Sequence, residues 1–150
     1  MGANITEVDK QVWLKVQNAY ETLVDPAKRK KYDSTLPFDE ETPKLGGFTD
    51  ETFYSIFGDC FQNNARFSTI KPVPNIGDKN TPIDDVYKFY KFWDYFKTWR
   101  EFSQYDEYDT EDAQDRYEKR WMEKQNRKCR EKYDKEERKR LIGLVNMAYA

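Results

Sequence analysis

Apolar residues near the start of the chain recur at helical spacing. They fall three or four positions apart between about Thr6 and Val24, at Val8, Val12, Val16, Tyr20 and Leu23, and so define one face of a helix. Thr6 followed by Asp9 suits the first turn of this helix, because each side chain can cap the other's backbone N–H.

A second, short helix is predicted directly after the first. Asp25-Pro26 ends the first helix and begins the next, with Asp25 as the N-cap and Pro26 at the first helical position. This second helix is basic and is expected to end near Asp33.

Two aromatic segments follow a stretch rich in turn-forming residues. Residues 36–50 hold two prolines and two glycines among acids, which predicts a linker. A helix from about Asp50 to Phe67 then carries an aromatic face, made of Phe53, Tyr54, Phe57 and Phe61. Beyond a proline-containing loop at 71–82, nine of the 16 residues from Tyr87 to Phe102 are aromatic. So broad a band predicts a core helix packed on more than one side, rather than an exposed stacking platform for bases.

The longest predicted helix lies in the last third of the chain. No Gly or Pro interrupts residues 116–141, so a helix of roughly 35–40 Å is expected there. The apolar residues that follow, from Leu141 to Tyr149, predict a tail that packs back or continues beyond this chain. Together these patterns predict an all-α fold: a small helical bundle with an aromatic-rich core and a long protruding basic helix.

Composition limits the size of the core and the chemistry. The 150 residues are 37% hydrophobic and 36% charged, so the core is small, although 17% aromatic content partly offsets this. With no histidine and only Cys60 and Cys129, neither a Ser-His or Cys-His pair nor an ordinary zinc site is possible. No apolar run approaches a membrane span and no signal-peptide pattern is present. We therefore expect a soluble cytoplasmic protein that is not an enzyme and uses no cofactor, metal or membrane.

Charge is distributed unevenly along the chain. Residues 116–140 hold 12 of the 26 Lys and Arg residues and six acids, whereas the rest of the chain sums to −8. The preceding acidic segment, residues 105–115, holds six acids and no Lys or Arg. Such a basic helix on an acidic protein is typical of an electrostatic footprint for a phosphate backbone.

Helical spacing selects five candidate phosphate contacts within the basic stretch. Four lie four residues apart and one lies beside them: Arg116, Arg120, Lys124 and Lys128, with Arg127. The alternative is a solvated helix held by pairs such as Glu123–Arg127 and Glu131–Lys135, but the acid-free interval 124–130 favours phosphate binding without base specificity. The acidic stretch 106–115 is expected to be a solvated hinge; packing on the basic helix as an intramolecular competitor is the alternative.

Two sets of residues resemble known families. Trp13-x-x-Val16-x-x-Ala19-Tyr20-x-x-Leu23-x-Asp25, followed by Arg29-x-x-Tyr32-Asp33, resembles the last two helices of a J-domain. Most of the remaining chain resembles the ribosome-binding homology region of the zuotin family, the J-proteins of the ribosome-associated chaperone complex. The matching stretches are Ala65-Arg66-Phe67-Ser68, Phe89-Tyr90-x-Phe92-Trp93, Trp99-Arg100-Glu101-Phe102 and Arg120-Trp121-x-Glu123-Lys124-x-Asn126, with Leu144-Val145 and Ala148-Tyr149 at the end.

The resemblance implies a domain organisation and a role. Residues 1–35 would be the last two J-domain helices, 36–50 a linker, and 51–150 the zuotin homology domain. Such proteins bind rRNA and a ribosomal protein near the tunnel exit of the large subunit, and position a J-domain for seventy-kilodalton heat-shock chaperones. Carried over, Arg120 and Lys124 would be the main rRNA contacts, although Lys124 stands where the family often has Arg. The resemblance implies supporting contacts from Arg127, Lys128 and Arg130, which makes Arg130 the sixth candidate.

Departures from the family limit the expected activity. The His-Pro-Asp loop of a J-domain, the partner-binding N-terminal segment and the C-terminal bundle are missing, which implies an excised middle piece. Stimulation of heat-shock chaperones is therefore expected to be absent, and Val12, Val16 and Tyr20 are expected either to find other packing partners or to stay partly exposed. The rival interpretations are a DNA- or chromatin-binding helical module and a protein-interaction scaffold.

Overall fold

The computed structural model describes residues 4–150, which form five α-helices. These are α1 (Glu7–Val24), α2 (Pro26–Thr35), α3 (Phe53–Ala65), α4 (Ile83–Asp94) and α5 (Arg116–Tyr149), with short 3-10 helices at Ser103–Tyr105 and Thr110–Asp112. Across the described residues, β-type pairing is confined to one bridge between Ser68 and Thr98. The all-α prediction is confirmed. The chain divides into two compact units, Met1–Leu36 and Pro37–Ala150.

The first unit consists of α1 and α2, and both begin as predicted. The Thr6 hydroxyl accepts from the Asp9 N–H at 3.1 Å, and the Asp9 carboxylate accepts from the Thr6 N–H at 3.0 Å. At the start of α2, the Asp25 carboxylate accepts from the Lys28 N–H at 3.0 Å, and Pro26 follows the cap. No residue of α1 is buried, and Val12, Val16 and Tyr20 are exposed, which is the second of the two alternatives that the sequence left open.

The second unit is built around an aromatic-rich core where α3, α4 and the end of α5 meet. The ring of Phe61 on α3 lies 4.9 Å from both Phe89 and Trp93 on α4. The apolar end of α5 does pack back onto them. The buried cluster comprises Phe57, Phe61, Phe89, Trp93, Leu141, Leu144, Val145 and Ala148.

The aromatic band at residues 87–102 is not one helix, which corrects the sequence prediction. Helix α4 ends at Asp94, and the chain then pairs with the segment after α3. The Trp99 N–H donates to the Phe67 carbonyl and the Thr69 N–H to the Lys97 carbonyl, both at 2.9 Å. Because these backbone groups are taken by a neighbouring segment, they cannot continue the helix. The band of aromatic residues is broad because it covers both helix α4 and the extended segment that follows it.

From Pro37 onward, the stretch expected to be a linker belongs to the second unit. The ring of Phe38 packs edge-on against Phe67 at 4.9 Å, and that of Phe48 against Phe57 at 4.9 Å. Residues 37–50 form no helix, and the two phenylalanines tie this segment to the core of the second unit.

A buried charge network holds the middle of α5. The Glu137 carboxylate accepts from Arg100 Nη1 at 3.0 Å, and from Arg140 Nε and Nη2 at 3.0 and 2.8 Å. Arg140 also donates to the Asn64 side chain on α3 at 2.7 Å, and Arg100 pairs with Glu40. Because these partners lie on different segments, the network fixes α5 in rotation as well as position.

Candidate nucleic-acid interface

Five of the six candidate phosphate contacts lie on the outward face of α5. Since the helix turns by about 100° per residue, positions 116, 120, 124, 127 and 128 share one side, opposite buried Met122 and Asn126. All five side chains are exposed, and none forms an ion pair with any residue that the structure describes. We call these five residues, Arg116, Arg120, Lys124, Arg127 and Lys128, the basic row.

The basic row differs from a helix face neutralised by its own acids. The pairs Glu123–Arg127 and Glu131–Lys135, required by the solvated-helix alternative, are not formed between these described residues. Residues 116–130 hold seven Lys and Arg residues against two acids. Positions 116 to 128 span about 18 Å along the axis at 1.5 Å per residue. The row is therefore a continuous positive surface over about three turns.

Arg130, the sixth candidate, is not brought together with the others. Its guanidinium makes a two-pronged ion pair with Asp106, with Nε donating to Oδ1 at 2.6 Å and Nη2 donating to Oδ2. The hydrogen bonds that Arg130 donates to the Asp106 carboxylate raise the pKa of Arg130 above its usual value. Because this cation already has a carboxylate partner, Arg130 holds the fold rather than extending the free surface.

The acidic segment packs along the inner side of α5, so the favoured expectation of a solvated hinge was wrong. The buried Asn126 side chain donates to the Tyr108 carbonyl at 2.8 Å and accepts from the Tyr108 N–H at 3.1 Å. The Tyr105 ring stacks on Tyr133 with centroids 4.1 Å apart. The signal was present in the sequence, where Phe102, Tyr105 and Tyr108 recur every three residues among the acids. The acidic segment thus supports the first half of α5 along one side.

Other kinds of site find no support within residues 4–150. No group of three or more Cys, Asp or Glu side chains there could hold a metal ion. Both cysteines are free and half-buried. None of the described helices is both long enough and apolar enough to cross a membrane.

Known proteins match the chain over nearly its whole length. Residues 52–150 match the family model described as the zuotin-like, zuotin homology domain. The chain is 43% identical over 150 residues to DnaJ homolog subfamily C member 2 of Homo sapiens, covering 99% of this chain and 24% of that protein. It is 40% identical over 134 residues to Zuotin of Saccharomyces cerevisiae, covering 89% of this chain and 30% of that protein. The chain thus spans about a quarter to a third of the length of these relatives. It belongs to the zuotin-like family, as its sequence resemblance implied.

Proposed function

We propose that the second unit anchors a zuotin-like J-protein to the large ribosomal subunit by binding rRNA through the basic row of α5. The observation that carries this proposal is the row itself: five exposed, unpaired cations on one face of a supported helix. Cations held this way can meet RNA phosphates without first breaking internal ion pairs. The names of the relatives, DnaJ homolog and Zuotin, support the co-chaperone setting.

The mechanism is electrostatic anchoring with no bond made or broken in the RNA. Arginines at 116, 120 and 127 offer planar forks that fit phosphate oxygens, while Lys124 and Lys128 act as point charges. Such contacts recognise the shape of the backbone rather than its sequence. The Glu137 network and Asn126 hold the backbone of α5 in place, so the ordering that binding requires is confined to the long side chains of the row.

The wider setting belongs to the same proposal. Residues 1–35 would be J-domain helices, and 51–150 would be the ribosome-binding domain, located in the cytoplasm near the tunnel exit. Residues 36–50 would connect these two parts. A ribosomal protein there would be a second contact. The sequence contains no histidine, so residues 1–150 lack the His-Pro-Asp loop and should not stimulate a heat-shock chaperone by themselves.

Cosedimentation with ribosomes across a salt series tests the anchor. The double variant Arg120→Ala/Lys124→Ala should lose pelleting while keeping its helical circular dichroism. Lys132→Ala/Lys139→Ala is the matched control, because it removes two exposed cations of the same helix from outside the basic row. Each phosphate contact removed should reduce the slope of log K against log salt by about 0.7–0.9.

Three outcomes would contradict this assignment. Equal loss in the two double variants would show that only net charge matters. Binding that persists undiminished at high salt would favour the protein-interaction scaffold. Duplex DNA that displaces the protein as well as rRNA does would favour the DNA-binding alternative.

A further inference from the structure

Two aromatic side chains lie exposed beside the basic row. Tyr117 is 81% exposed and Trp121, one turn further along α5, is 49% exposed. On the helix surface Tyr117 is a neighbour of Arg120, and Trp121 is a neighbour of Lys124, because the members of each pair are three positions apart. The other tryptophans of the second unit are used internally: Trp93 is buried, and the Trp99 N–H donates to the Arg66 carbonyl at 3.0 Å. Trp121 is thus the tryptophan of residues 37–150 left open to solvent.

The indole of Trp121 is held in place although half of the residue is exposed. The Tyr108 ring packs edge-on against it, with centroids 5.0 Å apart and planes at 62°. Tyr108 is itself fixed through both its backbone N–H and its carbonyl by Asn126. A large aromatic side chain oriented in this way loses little conformational freedom when a ligand covers its open surface.

We propose that Trp121, assisted by Tyr117, stacks on an unpaired base of the RNA whose phosphates the basic row binds. This inference rests on the proposed function and narrows its ligand to RNA with exposed loop or bulge nucleotides. The bases of a continuous A-form duplex are stacked and its major groove is too deep and narrow for side chains to read. Unpaired bases, in contrast, present a ring face to any aromatic side chain beside a cationic groove. The arrangement of rings and cations fits the second kind of RNA.

Binding to two RNAs of equal phosphate number tests this, one a hairpin with an unpaired loop and one a continuous duplex. The variant Trp121→Leu should weaken hairpin binding roughly 5- to 100-fold and leave duplex binding unchanged, and Tyr117→Leu should act in the same direction. Tyr95→Leu is the matched control, because Tyr95 is 75% exposed and lies outside α5. A 2-aminopurine in the loop should be quenched by the wild type and not by Trp121→Leu. Trp121→Phe should retain part of the hairpin preference.

The outcomes separate the two proposals. If Arg120→Ala/Lys124→Ala loses both RNAs while Trp121→Leu loses neither, or loses both equally, stacking is refuted and the phosphate anchor stands. If the double variant keeps both RNAs, or if the wild type binds neither, the proposed function fails as well. If Trp121→Leu weakens ribosome pelleting but not hairpin binding, the indole contacts a ribosomal protein and base stacking is refuted.

Discussion

Replacing Glu137 with Gln should destabilise the second unit more than any other isosteric change on α5. The Glu137 side chain is 8% exposed and accepts three charge-assisted hydrogen bonds from Arg100 and Arg140. Gln keeps the shape but removes the negative charge, and its NH₂ group turns a donor toward a guanidinium. At position 137, Arg100 and Arg140 then share one neutral amide oxygen in place of a carboxylate.

The size of the effect follows from what each arginine retains. Removing one partner of a buried ion pair costs about 3–5 kcal/mol. Arg100 would still pair with Glu40, whose side chain is 52% exposed, and Arg140 would still donate to Asn64 at 2.7 Å. Because both cations keep one acceptor, the expected loss lies near the lower end, at about 3 kcal/mol.

Urea unfolding followed by tryptophan fluorescence measures this loss. A Trp13→Phe background confines the signal to residues 37–150, where the other tryptophans lie. Glu136→Gln, an exposed neighbour on α5, is the control and should change the free energy of unfolding by no more than about 0.5 kcal/mol. A loss below about 1 kcal/mol for Glu137→Gln, or one equal to that of the control, would show that the network contributes little net stability.

Comparing wild type with Glu137→Gln at different pH values tests the same network, and the direction of the expected change in stability is defined. Burial raises the pKa of the Glu137 carboxyl, but Arg140 and Arg100 together lower it by more, so it lies below the usual 4.5. The stabilisation is therefore present above pH 4.5 and is lost as the pH falls through the folded-state pKa. The difference between wild type and Glu137→Gln should shrink in acid. A difference that is the same at neutral and strongly acidic pH would refute the charge argument.

Two further substitutions and one labelling experiment probe the contacts that support the fold and the accessibility of the Cys60 thiol. Asn126→Ala should lower the free energy of unfolding by about 1–3 kcal/mol. It should also increase hydrogen exchange at the Tyr108 amide, since that amide loses its side-chain acceptor. Unchanged protection of the amide would refute this role of Asn126. Gly77→Ala should lower the unfolding free energy by more than about 1 kcal/mol, because φ is +78° and the new Cβ would lie 2.2 Å from the Thr81 hydroxyl oxygen; a neutral effect in urea unfolding would show that this loop relaxes. Burial raises the pKa of the Cys60 thiol, with Asp39 and Asp59 adding to it, so iodoacetamide should label Cys60 more slowly in the folded protein than in urea. Equal rates by mass spectrometry would contradict this.

Local features were readable from the sequence because their causes are local. Each of three such features depends on neighbours within a few positions. They are the Thr6–Asp9 capping box, the helix break at Asp25-Pro26, and the run without Gly or Pro that forms most of α5. That the five members of the basic row lie on one side of α5 was predictable for the same reason, since helical spacing alone places them there.

Features that depend on distant partners could not be read in this way. Arg100 and Glu137 are 37 positions apart, and their pairing follows from how α5 meets the segment after α4. Arg130 has the same charge as its neighbours on α5, yet it lies where Asp106, 24 positions earlier, can reach it. Helix α4 ends early because residues 97 and 99 pair with 69 and 67. In each case a contact between residues far apart in the sequence determines the structure, and the periodic pattern of one segment does not reveal that contact.

Helix α5 joins the basic row and the buried Glu137 network without a break. Each residue turns a helix by about 100°. The eight positions between Lys128 and Glu137 therefore fix the direction in which the basic row faces relative to the core. Inserting or deleting one residue there would swing the row by about 100° and leave its charge unaltered. The exposed positions in this stretch can therefore change identity freely in evolution, whereas their number is fixed by geometry.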